Sequence, residues 1–165
     1  MTISVKKRNG DTASLDLERV HHIVEHACKG LAGVSESAVE MNSGLQFFDG
    51  IETKDIQEIL IRSANDLITL DNPNYQFVAA RLLLFGLRKS VYKGHPDNHP
   101  ILKDHVDKCV DLKVYDRDIL HKFNEEEWGV LNSYIDHDRD YLFTYAGMRQ
   151  VCDKYLVQDL SLIHI

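Results

Sequence analysis

The sequence has no apolar run long enough to cross a bilayer, since a transmembrane helix needs about 18 or more consecutive apolar residues. Its first fifteen residues are polar and mixed in charge, so no signal peptide is predicted and no membrane partner is expected. Its three cysteines, Cys28, Cys109 and Cys152, are too widely spaced for a CxxC or zinc pattern. We interpret them as small, reduced, buried side chains of a cytoplasmic protein.

Positive charge is also scarce. The chain has 19 Lys and Arg against 26 Asp and Glu, for a formal net charge of −7. Non-specific binding to nucleic acid needs a basic face, so this balance argues against a nucleic-acid partner. No Walker loop and no Ser-His-Asp or Cys-His arrangement is recognisable. His22 and His26, four residues apart, have no patterned third ligand, so no metal site is predicted. The charge balance still permits a locally basic pocket for one nucleotide.

The stretch from Lys7 to His22, KRNGDTASLDLERVHH, organises the chain. Residues 2–8 and 12–17 are predicted strands on either side of Asn9-Gly10, a dipeptide that favours a hairpin turn. Apolar residues then recur at helical spacing from Val20 onward, so the hairpin leads into a helix N-terminus. Basic side chains beside a helix N-terminus suit a phosphate group. The alternative is a surface hairpin whose lysines are only solvated.

Helical periodicity up to residue 93 predicts four helices, the first over residues 18–31. The second begins near Ser35 or Ser37, where Ser37-x-x-Glu40 is typical of a capping box. The side of this second helix that is expected to face the core carries Ala38, Met41, Leu45 and Phe48.

The third helix has Thr53 as its predicted N-cap. The fourth follows Asp71-Asn72-Pro73 and is apolar over most of its girth, which predicts a buried helix. Its last turn becomes basic with Arg88, Lys89 and Lys93, and cations at a helix C-terminus are often only partners of the helix dipole.

A polar, proline-containing segment over residues 94–100 is a predicted linker. Beyond it, residues 101–113 and 125–135 are predicted helices, the second capped by Asn124. The acidic run Asp136-His137-Asp138-Arg139-Asp140 is compatible with a metal or acid–base site. We favour the simpler interpretation, a capped and self-paired turn between helices.

Three stretches resemble the class I ribonucleotide reductase large subunit. The hairpin stretch is similar to the opening of an ATP-cone, the allosteric nucleotide-binding domain of that family. QFFDGIETKDI from Gln46 and DNPNYQFVAARL from Asp71 resemble its continuation, the latter through a D-x-P-[DN]-Y-[QE]-x-x-A-[AG]-R-L pattern. IDHDRD from Ile135 and KYLVQ from Lys154 are similar to the start of the helical region that precedes the reductase barrel.

The resemblance implies an α+β, mostly helical fold. A small β-hairpin would cap a four-helix ATP-cone at residues 1–93. The linker at 94–100 would lead into the start of an all-helical region at 101–159. Residues 160–165 depart from the family pattern, and we interpret them as a non-family tail.

The resemblance also implies a function. In this family the cone binds ATP as activator or dATP as inhibitor, with Mg²⁺ as the expected counter-ion. The parent enzyme is ribonucleoside-diphosphate reductase, which makes deoxyribonucleotides with a radical-generating small subunit and other large subunits. The family's catalytic cysteines lie beyond residue 165, so the fragment alone is expected to be inactive. The alternatives are a cone that serves a non-catalytic regulator and a degenerate cone that binds nothing.

The nucleotide-binding positions of the family carry over to both strands of the hairpin, the first helix, the third and the fourth. Basic side chains would neutralise the triphosphate, and Thr53 would offer a hydroxyl and helix N–H groups. Asp16 and the second strand would read the amino edge of adenine. No catalytic or metal-binding residue is predicted. The predicted nucleotide contacts are Lys7, Arg8, Ala13, Ser14, Leu15, Asp16, Leu17, Glu18, Arg19, Thr53 and Lys89.

Four positions depart from the pattern of the relatives. Ala13 and Ser14 stand where relatives often have charged or longer side chains, which implies contacts through the backbone only. Gln57 and Gly86 stand where some relatives have histidines that face the nucleotide.

Overall fold

The computed structural model describes residues 3–7, 10–92 and 98–157. The mostly helical α+β fold expected from the sequence is confirmed, and none of the described helices is long and apolar enough to span a membrane. Two 3₁₀ helices, Arg117–His121 and His137–Leu142, accompany the regular elements. The strands and α-helices are β1 (Ser4–Lys6), β2 (Thr12–Ser14), α1 (Leu17–Cys28), α2 (Glu36–Gly44), β3 (Ile51–Glu52), α3 (Thr53–Asp66), α4 (Tyr75–Tyr92), α5 (Leu102–Asp111), α6 (Glu125–Ser133) and α7 (Tyr145–Lys154).

The chain forms two compact units. The first is drawn from Met1–Gly86 and Tyr141–Tyr155, and the second from Leu87–Asp140 and Leu156–Ile165. The first unit is therefore discontinuous in sequence. The expectation that residues 1–93 form a separate domain stays a prediction, and most of the expected linker at 94–100 lies outside the described residues.

A three-stranded sheet with the order β2-β1-β3 lies in the first unit. Strand β1 is antiparallel to β2, with Val5 opposite Ala13, and parallel to β3, with Val5 opposite Ile51. The hairpin closes as predicted around Gly10, whose φ of +90° suits a glycine, and its N–H donates to the Lys7 carbonyl at 2.9 Å. The strands are shorter than predicted, because β2 ends at Ser14 and the chain then turns into α1.

The core of the first unit lies between the sheet and the helices that follow it. Val5 and Ile51 are buried on the sheet, and all of α4 from Val78 to Phe85 is buried except Arg81. This confirms the prediction that the fourth helix is largely enclosed. Buried apolar side chains on the remaining helices of this unit are Val20, Val24, Ala27, Cys28, Val39, Ile56, Leu60, Ile61, Ala64, Met148 and Cys152.

Helix α2 packs through a different side from the one predicted. Met41, which was expected to face the core, is 74% exposed, and Leu45 and Phe48 just after the helix are 89% and 58% exposed. Val39 and Ser43, which lie one turn apart, are buried instead. The predicted core-facing side of this helix is therefore wrong.

The physical reason is a polar seam between α2 and α3. Asn42 donates from Nδ2 to the Ser63 carbonyl at 3.2 Å, and Gln46 donates from Nε2 to the Ser63 hydroxyl at 3.3 Å. Hydrophobic spacing cannot reveal a side that packs through hydrogen bonds. The predicted capping box is also wrong, because Ser35 is the N-cap and accepts from the Ala38 N–H at 3.3 Å.

The DNPNYQFVAARL stretch holds the connection between α1 and α2. Asn74 donates from Nδ2 to the Ala32 carbonyl at 2.8 Å, and the Tyr75 hydroxyl accepts from the Ser35 N–H at 2.9 Å. Arg81 donates from Nη1 to two carbonyl oxygens at the end of α1, at 2.7 and 3.1 Å. The polar residues of this motif thus satisfy backbone groups of a loop that the core would otherwise leave unpaired.

In the second unit, Asn124 caps α6 as predicted, in a reciprocal capping box with Glu127. The acidic run after this helix forms a 3₁₀ turn in which the Asp136 carboxylate accepts from the Asp138 N–H at 3.1 Å. Arg88, only 4% exposed, donates to the Asp140 carboxylate at 2.8 Å. Among the described residues, no group of three potential ligands is placed to hold a metal ion.

Candidate functional site

Parallel pairing of β1 and β3 brings two predicted contacts to one edge of the sheet. Lys6 lies opposite Glu52 in this ladder. Lys7 directly follows β1, and Thr53 directly follows β3 as the first residue of α3. Because both strands run in the same direction, the exposed Lys7 and the N-terminus of α3 share this edge.

The first turn of α3 has backbone N–H groups without a side-chain acceptor at the cap. The prediction that Thr53 is the N-cap is wrong, because Glu52 still has extended backbone and Thr53 is already the first helical residue. Glu52 makes no side-chain capping hydrogen bond, and its carboxylate pairs instead with Lys54 at 3.1 Å. The Glu52 carboxylate raises the pKa of Lys54. Open N–H groups at the positive end of a helix dipole suit an anion, and the basic residues Lys7 and Lys54 adjoin this end of the sheet. Sequence reasoning missed Lys54, although it adjoins Thr53.

The N-terminus of α1 differs, because its own aspartate caps it. The Asp16 carboxylate accepts from the Arg19 N–H at 3.0 Å. Asp16 was predicted to lie in the second strand, but it is the N-cap of α1. A carboxylate offers about four lone-pair positions, so this cap leaves Asp16 capacity for another donor. The α1 terminus itself is less open to a phosphate than the α3 terminus.

Three further predicted contacts, Leu15, Leu17 and Glu18, line a groove of about 930 Å³ beside α2. The wall of this groove is apolar and acidic and includes no Lys or Arg among the described residues, so it does not suit a triphosphate. At its margin, Nδ1 of His21 lies 2.7 Å from the Glu40 carboxylate, and this contact raises the pKa of His21. Other lining residues are Ile3, Val20, His22, Ser43, Gly44 and Phe47.

The remaining predicted contacts are distributed over both units. Ala13 is half-buried in β2, while Ser14 and Arg19 are exposed. Arg8 lies outside the described residues. Lys89 is exposed on α4, in the second unit. The structure thus brings Lys7 and Thr53 to one sheet edge, and the participation of the others stays a prediction.

The two departures at Gln57 and Gly86 are complementary. Gln57 lies one turn after Thr53 on α3, and its Nε2 donates to the Leu82 carbonyl of α4 at 2.7 Å. A Cβ atom on residue 86 would lie 3.1 Å from Cγ of Gln57. Glycine at this position therefore leaves room for the glutamine side chain, a packing relation that the two separate sequence positions could not reveal.

Comparison with known proteins identifies one domain family and a set of relatives that match nearly the whole chain. Residues 3–90 match the ATP cone domain family. The chain is 46% identical over 155 residues to ribonucleoside-diphosphate reductase 1 subunit alpha of Escherichia coli, which covers 94% of this chain and 20% of the relative. It is 45% identical over 158 residues to the subunit alpha of Haemophilus influenzae (96% and 21%) and 38% identical over 159 residues to that of Enterobacteria phage T4 (95% and 20%). The chain spans about a fifth of the length of these relatives.

Proposed function

Because the chain belongs to the ATP-cone family, we propose that it is the N-terminal regulatory part of a ribonucleoside-diphosphate reductase large subunit. ATP binding to this part activates the parent enzyme, and dATP binding inhibits it. The parent enzyme reduces ribonucleotides in the cytoplasm, together with a small radical-generating subunit and other large subunits. The observation that carries the proposal is the uncapped N-terminus of α3 beside Lys7.

The nucleoside triphosphate binds as its Mg²⁺ complex at the end of the sheet where β1 ends and α3 begins. Glu52 and Asp55 place two carboxylates before and in the first turn of α3, and Lys7 and Lys54 bring two ammonium groups to the same end of the sheet. These four charges cancel, so the triphosphate requires additional positive charge. A divalent cation, which prefers phosphate and carboxylate oxygens, supplies part of it. Arg8, Arg19 and Lys89 are the protein groups proposed to supply the rest.

Isothermal titration of the 165-residue chain tests the proposal, with MgATP, MgdATP and MgCTP in parallel. We expect saturable binding of both adenine nucleotides and much weaker binding of MgCTP. Thr53→Ala removes the hydroxyl together with the γ-methyl group, and the lost hydrogen bond is expected to weaken adenine nucleotide binding by about 0.5–1.5 kcal/mol. Thr69→Ala, at an exposed position far along the chain from α3's first turn, is the matched control. Absence of heat with both adenine nucleotides would support the degenerate cone instead.

The second candidate, a cone that serves a non-catalytic regulator, has less support. The Escherichia coli and Haemophilus influenzae relatives match the chain over 155 and 158 residues, well beyond the 3–90 of the cone, and both are reductase alpha subunits. The decisive measurement is ribonucleotide reduction by the full-length parent protein with its small subunit, with and without dATP. Reduction that is insensitive to dATP, despite dATP binding to the cone, would favour a different output.

A further inference from the structure

Residues Tyr141–Tyr155, which we name the strap, belong to the same compact unit as residues before Gly86. The chain thus leaves this unit, forms most of the second unit, and returns. The strap contains α7, on which Met148 and Cys152 lie one turn apart and are both buried. One side of this returning helix is therefore packed and not simply exposed to solvent.

The first end of the strap contacts the far end of α1 through Arg81. The guanidinium of Arg81 lies 5.2 Å from the centre of the Tyr141 ring and donates to the carbonyl oxygens of Ala27 and Lys29. The Tyr141 ring also meets Phe85 edge-on at 6.2 Å. A cation is attracted to the face of an aromatic ring, and here the same cation hydrogen-bonds the last carbonyl groups of α1. A displacement of Tyr141 therefore removes one contact of the arginine that caps the C-terminus of α1.

The second contact is made with α3. Nη2 of Arg149 lies 3.0 Å from the Glu58 carboxylate, and Nε of Arg149 donates to the Tyr145 hydroxyl at 3.1 Å. The guanidinium also lies 5.6 Å from the centre of the Tyr145 ring, so Tyr145 holds the arginine in the position from which it contacts Glu58. Glu58 lies five positions after Thr53, on the helix whose N-terminus adjoins Lys7.

We propose that the strap is the output element of the nucleotide site, with its docking thermodynamically linked to nucleotide occupancy. This inference rests on the proposed nucleotide binding. Helix α3 begins at the proposed site and carries Glu58, the partner of Arg149, five positions after Thr53. Helix α1 carries the proposed contact Arg19 near its start, and its other end is capped by Arg81, which contacts Tyr141. Because a helix moves largely as a rigid element, a nucleotide that fixes these N-termini also favours the docked strap. The linkage is reciprocal, so the docked strap strengthens nucleotide binding by the same factor.

Amide hydrogen exchange of residues 145–155 in the whole chain measures the docking. We expect saturating MgdATP or MgATP to raise the protection of these amides by about fivefold or more, the lower end of typical coupling between sites. Under reciprocity, the double variant Tyr141→Leu, Arg149→Gln is expected to bind the same nucleotide more weakly by a similar factor. Arg139→Gln, an exposed arginine outside these contacts, is the matched control and is expected to leave both quantities unchanged.

The outcomes separate this inference from the proposed function. Nucleotide binding with unchanged protection of residues 145–155 overturns the linkage and leaves the binding proposal intact. Unchanged nucleotide affinity in a folded double variant overturns it equally. Absence of any binding to the unmodified chain overturns the proposed function, and the linkage with it. Should the double variant lose its cooperative thermal transition, the exchange measurement on the unmodified chain decides alone.

Discussion

Lys7 and Lys89 are the two lysines proposed to hold the triphosphate. A charge-assisted hydrogen bond to phosphate is worth about 1.5–3 kcal/mol, so Lys7→Ala and Lys89→Ala are each expected to cost that much binding free energy. Titration with MgdATP measures the loss, with Lys122→Ala, an exposed lysine of the second unit, as control. If Lys89→Ala binds dATP as tightly as the parent chain, the phosphate assignment of Lys89 is wrong.

A second prediction at the residue scale concerns Gly86 and Gln57. In a helix interior alanine is favoured over glycine by about 1 kcal/mol, but a Cβ at residue 86 crowds Cγ of Gln57 at 3.1 Å. We expect Gly86→Ala alone to change the free energy of unfolding little, because lost packing and the lost hydrogen bond to Leu82 offset the helix gain. In a Gln57→Ala background, the same substitution is expected to stabilise by about 0.5–1 kcal/mol. Urea unfolding of the four proteins measures the difference, and strict additivity would contradict the packing relation.

The residues of the candidate site were predictable only where local sequence decides their position. The turn at Gly10 followed from its dipeptide, and Thr53 was recognisable at the start of a helix. The adjacency of Lys7 and Thr53 depends on the parallel pairing of β1 with β3, and β3 has only two residues. A strand of two residues shows no alternation of apolar and polar side chains, so only the family resemblance could predict that Lys7 and Thr53 are neighbours.

At the scale of elements, a titratable pair joins α1 to α2. The Glu40 carboxylate hydrogen-bonds His21 and raises its pKa above 6.5. A raised pKa in the folded state stabilises the fold below the unfolded value, and this contribution is lost as pH rises through the folded value. We therefore expect Glu40→Gln to lower the thermal midpoint more at pH 6 than at pH 8. Glu126→Gln, an exposed control on α6, is expected to show no such difference.

The helices themselves were largely predictable, and the errors have physical causes. The first helix was expected over residues 18–31 and is Leu17–Cys28. It could be predicted because its N-cap and the glycines after it are local sequence signals. The orientation of α2 was not predictable, because hydrogen bonds to Ser63 and not apolar spacing decide which side packs. The presence of each helix thus followed from local sequence patterns, whereas the side through which a helix packs depended on its tertiary partners.

At the scale of the whole parent molecule, the proposed switch has to distinguish ATP from dATP by one hydroxyl. A single hydrogen bond contributes about 0.5–1.5 kcal/mol net, so affinity alone is expected to discriminate by less than about 15-fold. The larger effect is expected from conformation and assembly. We predict that dATP raises the oligomeric mass of the full-length subunit with its small subunit, whereas ATP at equal saturation does not. Light scattering measures this, and equal masses with both nucleotides would exclude assembly as the mechanism.

The discontinuity of the first unit has a consequence for folding during synthesis on the ribosome. A chain emerges N-terminus first, at about 5–20 residues per second. Residues up to Gly86 must therefore wait for Tyr155, 155 − 86 = 69 residues later, before the unit is complete. At these rates the delay is roughly 3–14 s. During that interval Arg81 has no Tyr141 and Glu58 no Arg149, so residues up to Gly86 meet chaperones and proteases without the segment that completes their unit.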